Sequence, residues 1–124
     1  YRITMYGGES MKINKELLKG STTVLILSIL NRKDMYGYEM IKEMEERSKN
    51  IFSFKEGTLY PILHSLENEN YIEAYWDSSN GNRKRKYYKI TDAGKKVLLE
   101  KEKEWKLFSS TVNNVLWEGE LCLQ

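Results

Sequence analysis

The sequence contains few of the residues on which disulfides, metal sites and catalytic groups depend. Cys122 is its one cysteine and His64 its one histidine among 124 residues. A single cysteine excludes a disulfide within the chain and any multi-cysteine metal site, and it fits a reducing cytoplasm. A lone histidine cannot form a histidine-rich site, so we expect neither a metal nor a cofactor. No Ser/His/Asp set or nucleotide-binding glycine motif is present, which makes an enzyme the least favoured class.

Long apolar runs and a strong net charge are also missing. The longest apolar run extends from Val24 to Leu30 with one serine inside it, far below the roughly 20 residues that cross a bilayer. With no visible signal peptide, we expect a cytoplasmic protein without a membrane partner. The net charge of +2 is too small to identify a nucleic-acid-binding protein. The distribution of charge must therefore carry that argument.

The patterns along the chain predict four parts. Residues 1–10 precede a methionine and contain two adjacent glycines, so we expect a leader or natural extension outside the fold. Residues 11–91 are predicted to form one domain, residues 92–118 a long C-terminal helix and residues 119–124 a tail. Apolar residues make up 40% of the chain and charged residues 31%, which is ordinary for a globular protein and argues against disorder.

Two helices are predicted before the middle of the domain. The first covers residues 14–32, and its second half is apolar nearly all round. Such a helix is buried on more than one side, and a domain this small can hardly enclose it alone, so one side is expected to meet another subunit. Asp34 can cap the second helix, over residues 36–48, whose outer face is acidic.

A third helix is predicted over residues 53–68. Ser53 and Glu56 have the S-x-x-E spacing of a capping box, which places the start of the helix at Ser53. One face is apolar: Leu59, Ile62, Leu63 and Leu66. The opposite face is polar and free of acids: Lys55, Thr58, Pro61, His64 and Ser65. A solvated surface is the ordinary explanation for such a face; contact with an anionic surface is the alternative.

A β-hairpin with a basic second strand follows. Residues 71–76 alternate between apolar and polar, residues 77–82 are typical of a turn, and residues 83–90 form the returning strand. Five cations fall within seven residues of this strand, with no acid among them: Arg83, Lys84, Arg85, Lys86 and Lys89. Taken alone, such a run is as consistent with a solvated surface as with binding of an anion.

The last helix is predicted to begin after Thr91, which can cap it, and to end near Trp117. Leu98, Trp105 and Val112 recur every seven residues, and Phe108 and Val115 complete a seam of the kind that pairs long helices. The fold class is therefore mainly α with a small β-hairpin: a winged helix-turn-helix plus a long C-terminal dimerisation helix. In this plan the third helix enters the major groove of DNA, and the hairpin, or wing, lies along the duplex beside it.

Three segments carry a resemblance to a known family: residues 36–39 (Tyr-Gly-Tyr-Glu), 57–63 (Gly-Thr-Leu-Tyr-Pro-Ile-Leu) and 85–91 (Arg-Lys-Tyr-Tyr-Lys-Ile-Thr). Together they resemble the PadR family of bacterial transcriptional regulators, and the single C-terminal helix resembles its small subfamily. The resemblance implies a homodimer that represses transcription at a double-stranded DNA operator and is released by an inducer. It implies these DNA contacts: Lys55, Thr58, Tyr60, Pro61, His64, Arg83, Lys84, Arg85 and Lys86. The expected dimer interface contains Leu25, Ile29, Leu98, Trp105, Phe108, Val112 and Val115.

Trp105 leaves a second function open. Some members of the small subfamily place a tryptophan midway along the last helix, and the pair from two subunits binds flat aromatic molecules. By this resemblance, Trp105 and Phe108 would bind a planar aromatic effector, and the chain would be a small-molecule sensor. A tryptophan that simply fills the helix seam is the competing interpretation. A third hypothesis, a winged-helix module that binds protein, is disfavoured by the cationic wing.

Overall fold

The computed structural model describes residues 13–79, 81 and 83–117, and within them the chain forms helices around a small sheet. The elements in order are α1 (Lys15–Lys19), α2 (Thr22–Leu30), β1 (Met35–Tyr36), α3 (Gly37–Arg47), α4 (Glu56–Asn68), β2 (Ile72–Asp77), β3 (Arg85–Ile90) and α5 (Asp92–Trp117). This order confirms the predicted winged helix-turn-helix class. The predicted leader, the tail and Cys122 lie outside the described residues.

The sheet has three antiparallel strands in the order β1-β3-β2. The predicted hairpin is present as β2 and β3, and β1 adds a short third strand in which Met35 lies opposite Tyr88 and Tyr36 opposite Tyr87. The prediction of a two-stranded hairpin was therefore incomplete. A strand of two residues is too short to show an alternating pattern, so the sequence gives no signal for it.

The core lies between α2, α3, α4 and the inner side of the sheet, and the first turns of α5 close it. Its members include Ile26, Leu27, Leu30, Met35, Met40, Met44, Leu59, Leu63, Leu66, Ile72, Tyr88, Ile90 and Leu98. Ile26 and Leu27 are 0% exposed, so α2 is buried on most sides by its own chain. Val24 and Leu25 are only partly buried, so the expected contact of one side of α2 with another subunit stays a prediction.

The first predicted helix is interrupted. Instead of one helix over residues 14–32, α1 ends at Gly20, and α2 begins after Ser21. The Gly20 N–H donates to the Leu18 carbonyl, and the Thr22 hydroxyl donates to the Lys19 carbonyl at 3.2 Å. Glycine is a poor helix former, and a threonine side chain that bonds the preceding backbone competes with helix continuation. The apolar pattern continues on both sides of the break, so the sequence pattern did not predict it.

Two predicted helix caps were wrong. α3 begins after Tyr36, whose N–H donates to Glu39 Oε1, and Asp34 instead accepts a hydrogen bond from the Tyr75 hydroxyl at 2.6 Å. α4 begins after Lys55, so Ser53 lies two residues too early to cap it. Phe54 is 3% exposed. Burial of its ring holds the chain extended just where the S-x-x-E spacing predicted a helix.

The cap at Thr91 is confirmed, and it connects α5 to the rest of the domain. The Thr91 hydroxyl accepts from the Gly94 N–H at 3.0 Å and donates to the Asn70 carbonyl at 2.8 Å. The Thr91 N–H donates to the Tyr71 carbonyl at 3.0 Å. The start of α5 is thereby joined to the segment between α4 and β2. Beyond its first turns, which bury Gly94 and Leu98, α5 extends away from the core.

Candidate nucleic-acid interface

The polar face of α4 is exposed as predicted, and it brings five of the predicted site residues together. Burial of Leu59, Leu63 and Leu66 turns the other side of the helix outward. The exposed residues there are Lys55, Thr58, Tyr60, Pro61 and His64. Glu56 is the one acid among the exposed residues of the first turn, where the helix dipole favours a negative charge. This face is open along its length to a partner.

Tyr60 is held in place by a glycine. It is 42% exposed, and the outer end of its ring lies against the backbone of Gly37, the first residue of α3. A methyl group added at Gly37 would lie 2.7 Å from Tyr60 Cζ, and closer still to the hydroxyl. Because Gly37 has no side chain, the Tyr60 ring can pack against its backbone, and this contact sets how α4 lies across the start of α3. Sequence reasoning missed this role; the signal was a glycine in the first turn of an amphipathic helix.

The register of β2 and β3 gives the wing two different faces. We define the inner face as the side that turns toward the helices, which carries three facing pairs: Ile72 with Ile90, Ala74 with Tyr88, and Trp76 with Lys86. The outer face carries the alternate pairs: Glu73 with Lys89, Tyr75 with Tyr87, and Asp77 with Arg85. α4 packs against β2. Burial, followed by the nearby charges of Glu67 and Tyr60 on α4, raises the pKa of Tyr88.

The outer face is built around aromatic rings. The Tyr87 ring stacks on Tyr75 with centroids 5.8 Å apart and meets the edge of Tyr36 at 5.5 Å. The guanidinium of Arg85 lies 4.5 Å from the centroid of Tyr36. The hydrogen bond to Asp34 raises the pKa of Tyr75 to about 12. This cluster links the wing to the segment before α3.

The two faces separate the predicted wing cations. Arg83 and Lys84 are exposed just before β3, and Lys86 is exposed on the inner face. Arg85 is partly buried on the outer face, with its charge placed over Tyr36 and opposite Asp77. The register therefore places Lys86 on the side occupied by α4 and Arg85 on the opposite side, while Arg83 and Lys84 are exposed ahead of the paired strand.

The predicted dimer residues also separate into two groups. Ile29 is 4% and Leu98 3% exposed within one chain, so these two belong to the core and have almost no surface left to offer a partner. Leu25 and Val112 are partly buried. Three residues are largely exposed along α5: Trp105, Phe108 and Val115. The rings of Trp105 and Phe108 lie 5.9 Å apart and tilted by 39°.

More apolar side chains are exposed than the heptad pattern predicted. Exposed fractions between 49% and 70% are found at Leu17, Leu99, Leu107, Leu116 and Trp117. Four of the five lie on α5, and large exposed apolar side chains in this number on one helix mark an interface more often than ordinary solvent contact. Within the described residues, no group of three or more acidic, histidine or cysteine side chains could hold a metal ion. No helix among them is long and apolar enough to cross a membrane.

Comparison with known proteins gives a consistent family. The model of the PadR-like family of transcriptional regulators matches residues 26–100. An uncharacterized protein of Lysinibacillus sphaericus is 41% identical over 93 residues, which cover 75% of this chain and 85% of that one. The negative transcriptional regulator PadR of Bacillus subtilis is 29% identical over 73 residues, which are 59% of this chain and 40% of that protein.

Solved structures agree with this. A PadR-like transcriptional regulator from Bacillus cereus superposes with a TM-score of 0.74 at 38% identity, covering 86% of this chain and all of that one (100%). A transcriptional regulator from Clostridium thermocellum gives a TM-score of 0.75 at 33% identity over 81% of this chain and 97% of that chain. The matched proteins with named functions are regulators rather than enzymes, and the family model covers more than half of the sequence. The chain belongs to the PadR-like family of transcriptional regulators.

Proposed function

We propose that the protein is a homodimeric repressor that binds a double-stranded DNA operator in the cytoplasm through the polar face of α4 and the wing. One observation carries this proposal: α4 exposes its polar face beside a wing whose inner face exposes Lys86 and whose approach to β3 exposes Arg83 and Lys84. Lys55, Arg83, Lys84 and Lys86 outnumber the two acids of α4 in this region, the exposed Glu56 and the partly buried Glu67. An excess of exposed positive charge beside a helix that can enter the major groove suits a duplex.

The helix and the wing would divide the work of binding. α4 has 13 residues and is about 20 Å long. A helix is about 10–12 Å in diameter with its side chains, so it fits into a major groove roughly 12 Å wide. Thr58, Tyr60 and His64 would meet base edges or the adjacent backbone there. Arg83 and Lys84 would neutralise phosphates beside the groove, and phosphate contacts supply much of the affinity without reading sequence.

Dimerisation rests on the exposed apolar surface of α5. Trp105 is 49%, Phe108 57% and Val115 74% exposed in a single chain, and pairing with a second copy would cover them. A twofold dimer would present two copies of α4 to two half-sites, so the operator is expected to be palindromic. Lys55, Lys84 and their neighbours would then act twice in each complex.

The salt dependence of binding to DNA from upstream of the protein's own gene tests this proposal. Each phosphate neutralised contributes about −0.9 to the slope of log K against log salt concentration. In a dimer, Lys84→Ala removes two such contacts and should make the slope shallower by about 1.8. Lys89→Ala is the matched control, because it removes the same charge five residues further along the same arm of the hairpin, on the outer face of β3 opposite Glu73. Its slope should equal that of the wild type.

Two results would contradict DNA binding by this surface. One is no detectable complex at about 50 mM salt, where electrostatic binding is strong. The other is an equal change of slope in Lys84→Ala and Lys89→Ala, because that would mean a general effect of net charge. A fluorescence anisotropy titration of a labelled duplex measures both affinity and slope.

A second candidate function is the sensing of a planar aromatic molecule at the dimer interface. The exposed pair of Trp105 and Phe108 favours it, since aromatic faces stack well on planar heterocycles and cations. With Trp76 and Trp117 replaced by Phe, quenching of the remaining Trp105 fluorescence by the planar dye ethidium tests the site. Quenching is measured without DNA, because ethidium itself intercalates into a duplex. Quenching that saturates supports a binding site at Trp105; the absence of quenching favours the packing interpretation of Trp105.

A further inference from the structure

Trp76 has an exposure that folding does not explain. It lies near the end of β2 and is 63% exposed, although its neighbours in the same row, Ile72 and Ala74, pack on the core. A tryptophan that is this exposed contributes little to folding, because most of its apolar surface remains in water. It is also outside the exposed apolar surface of α5. Its ring is therefore available to a partner, and its surroundings indicate which kind.

The register places Trp76 on the inner face of the wing, next to α4. Tyr88 is the last buried residue of this row on β3, and Tyr60 of α4 is one of the groups that raise its pKa. One step further toward the tip, Lys86 has its Nζ 5.6 Å from the Tyr88 ring centroid. Trp76 lies directly opposite Lys86. The indole therefore adjoins a cation on the side of the wing that faces α4.

The two faces of the wing differ in charge. On the outer face, Lys89 and Arg85 lie opposite Glu73 and Asp77. On the inner face, the described residues of both strands include no acid, and Lys86 lies opposite an indole instead. The acid whose charge reaches this face, at Tyr88, is the partly buried Glu67 of α4. A partner that fits this face is anionic and also offers apolar surface. The sugar–phosphate backbone of DNA has both: deoxyribose for the ring, and phosphate oxygens for the indole N–H and the ammonium group.

We propose that Trp76 contacts DNA, with its ring against a deoxyribose and its Nε1–H donating to a phosphate beside the one that Lys86 binds. This inference rests on the proposed DNA binding and adds to it a contact from β2, a strand that contributes none of the cations. Because the indole is uncharged, the contact should strengthen binding without releasing counterions. That property separates Trp76 from every cation of the wing.

Affinity and salt slope together test the contact. Trp76→Ala should weaken binding roughly fivefold or more, by comparison with aromatic contacts to nucleic acids, and leave the salt slope unchanged. Lys86→Ala should lower both. If Trp76 only supported the wing, its loss would displace the cations as well, and the slope would fall with the affinity. A Trp76→Ala protein that binds as tightly as the wild type also overturns the proposal.

Fluorescence gives a direct readout. With Trp105→Phe and Trp117→Phe, Trp76 is the only tryptophan, and its emission should shift to shorter wavelength and resist acrylamide when the duplex is added. The control carries Tyr75→Trp and Trp76→Phe in the same background, which moves the indole to the outer face of the same strand; its emission should not change. Unchanged emission of Trp76 in a complex shown by anisotropy overturns the contact alone. Failure of the wild type to bind any duplex overturns DNA binding as a whole.

Discussion

Replacing Gly94 by alanine should destabilise the protein even though glycine is the poorer helix former. Gly94 lies in the first turn of α5, where α5 crosses the segment between α4 and β2. An added methyl group would lie 2.8 Å from Ile90 Cγ1 and 3.0 Å from the carbonyl carbon of Tyr71, and closer still to its oxygen. Real Cβ atoms do not come this near to other atoms, and the obstacle is backbone rather than the end of a flexible side chain.

The magnitude follows from three contributions. Forcing a methyl group into a packed region costs about 1–3 kcal/mol. The Tyr71 carbonyl that must move also accepts the Thr91 N–H at 3.0 Å, and weakening that hydrogen bond costs about 0.5–1.5 kcal/mol. Higher helix propensity returns up to about 1 kcal/mol. The sum is a loss of roughly 2 kcal/mol in the free energy of unfolding.

Urea unfolding followed by circular dichroism measures this loss, at one fixed protein concentration because dimerisation would otherwise change the apparent stability. Gly57→Ala in α4 is the control: no atom lies within 4 Å of its added methyl group. That variant should be unchanged or up to about 1 kcal/mol more stable. Equal stabilisation by both substitutions would show that the start of α5 is not closely packed on Tyr71.

Three further outcomes are expected. Gly37→Ala should preserve the fold but weaken DNA binding, because the methyl group displaces the half-exposed ring of Tyr60; urea unfolding and anisotropy separate the two effects. The raised pKa of Tyr75, about 12 against 10.0, means that its hydrogen bond to Asp34 stabilises the fold below pH 10 and is lost as the pH rises through 12. Asp34→Asn should lower the Tyr75 pKa in a phenol absorbance titration. A titration curve identical to that of the wild type would contradict this reasoning. Phe108→Asp should give a helical monomer by sedimentation; a stable dimer would place the interface elsewhere.

Periodicity predicted the long elements of the fold and failed where structure depends on one or two residues. The apolar positions of α4 and α5 identified both helices, because burial of one face repeats over several turns. The break at Gly20 and the third strand at Met35 and Tyr36 lie inside or beside such patterns and contribute too few residues to alter them. Both helix-cap predictions failed because of tertiary contacts. Burial of Phe54 keeps the chain extended after Ser53, and the Tyr75 hydroxyl donates to Asp34, which therefore does not cap α3.

For the candidate site, sequence could place residues on elements but could not say which way they face. All five predicted residues of α4 are exposed together because burial of Leu59, Leu63 and Leu66 fixes the orientation of the helix. On β3 the cationic run alone could not assign faces, since that depends on the register with β2. The register separates Arg85, which stacks on Tyr36, from Lys86, and it reveals Trp76, which the composition of the hairpin had left without a role.

The connection between α5 and the sheet suggests how an event at Trp105 would reach the DNA. The bonds of Thr91 and the packing of Gly94 join the start of α5 to both α4 and β2. From Gly94 to Trp105 there is about 16 Å of continuous helix, with no break between Asp92 and Trp117.

A ligand that changed how two α5 helices pair would therefore move each winged domain as a rigid body, which is a common form of allosteric change. Because α4 and the wing move together with α5, the separation of the two half-site contacts would change while each individual surface stayed intact. Repression would then be lost through spacing, and a single half-site duplex should bind equally well with and without the ligand.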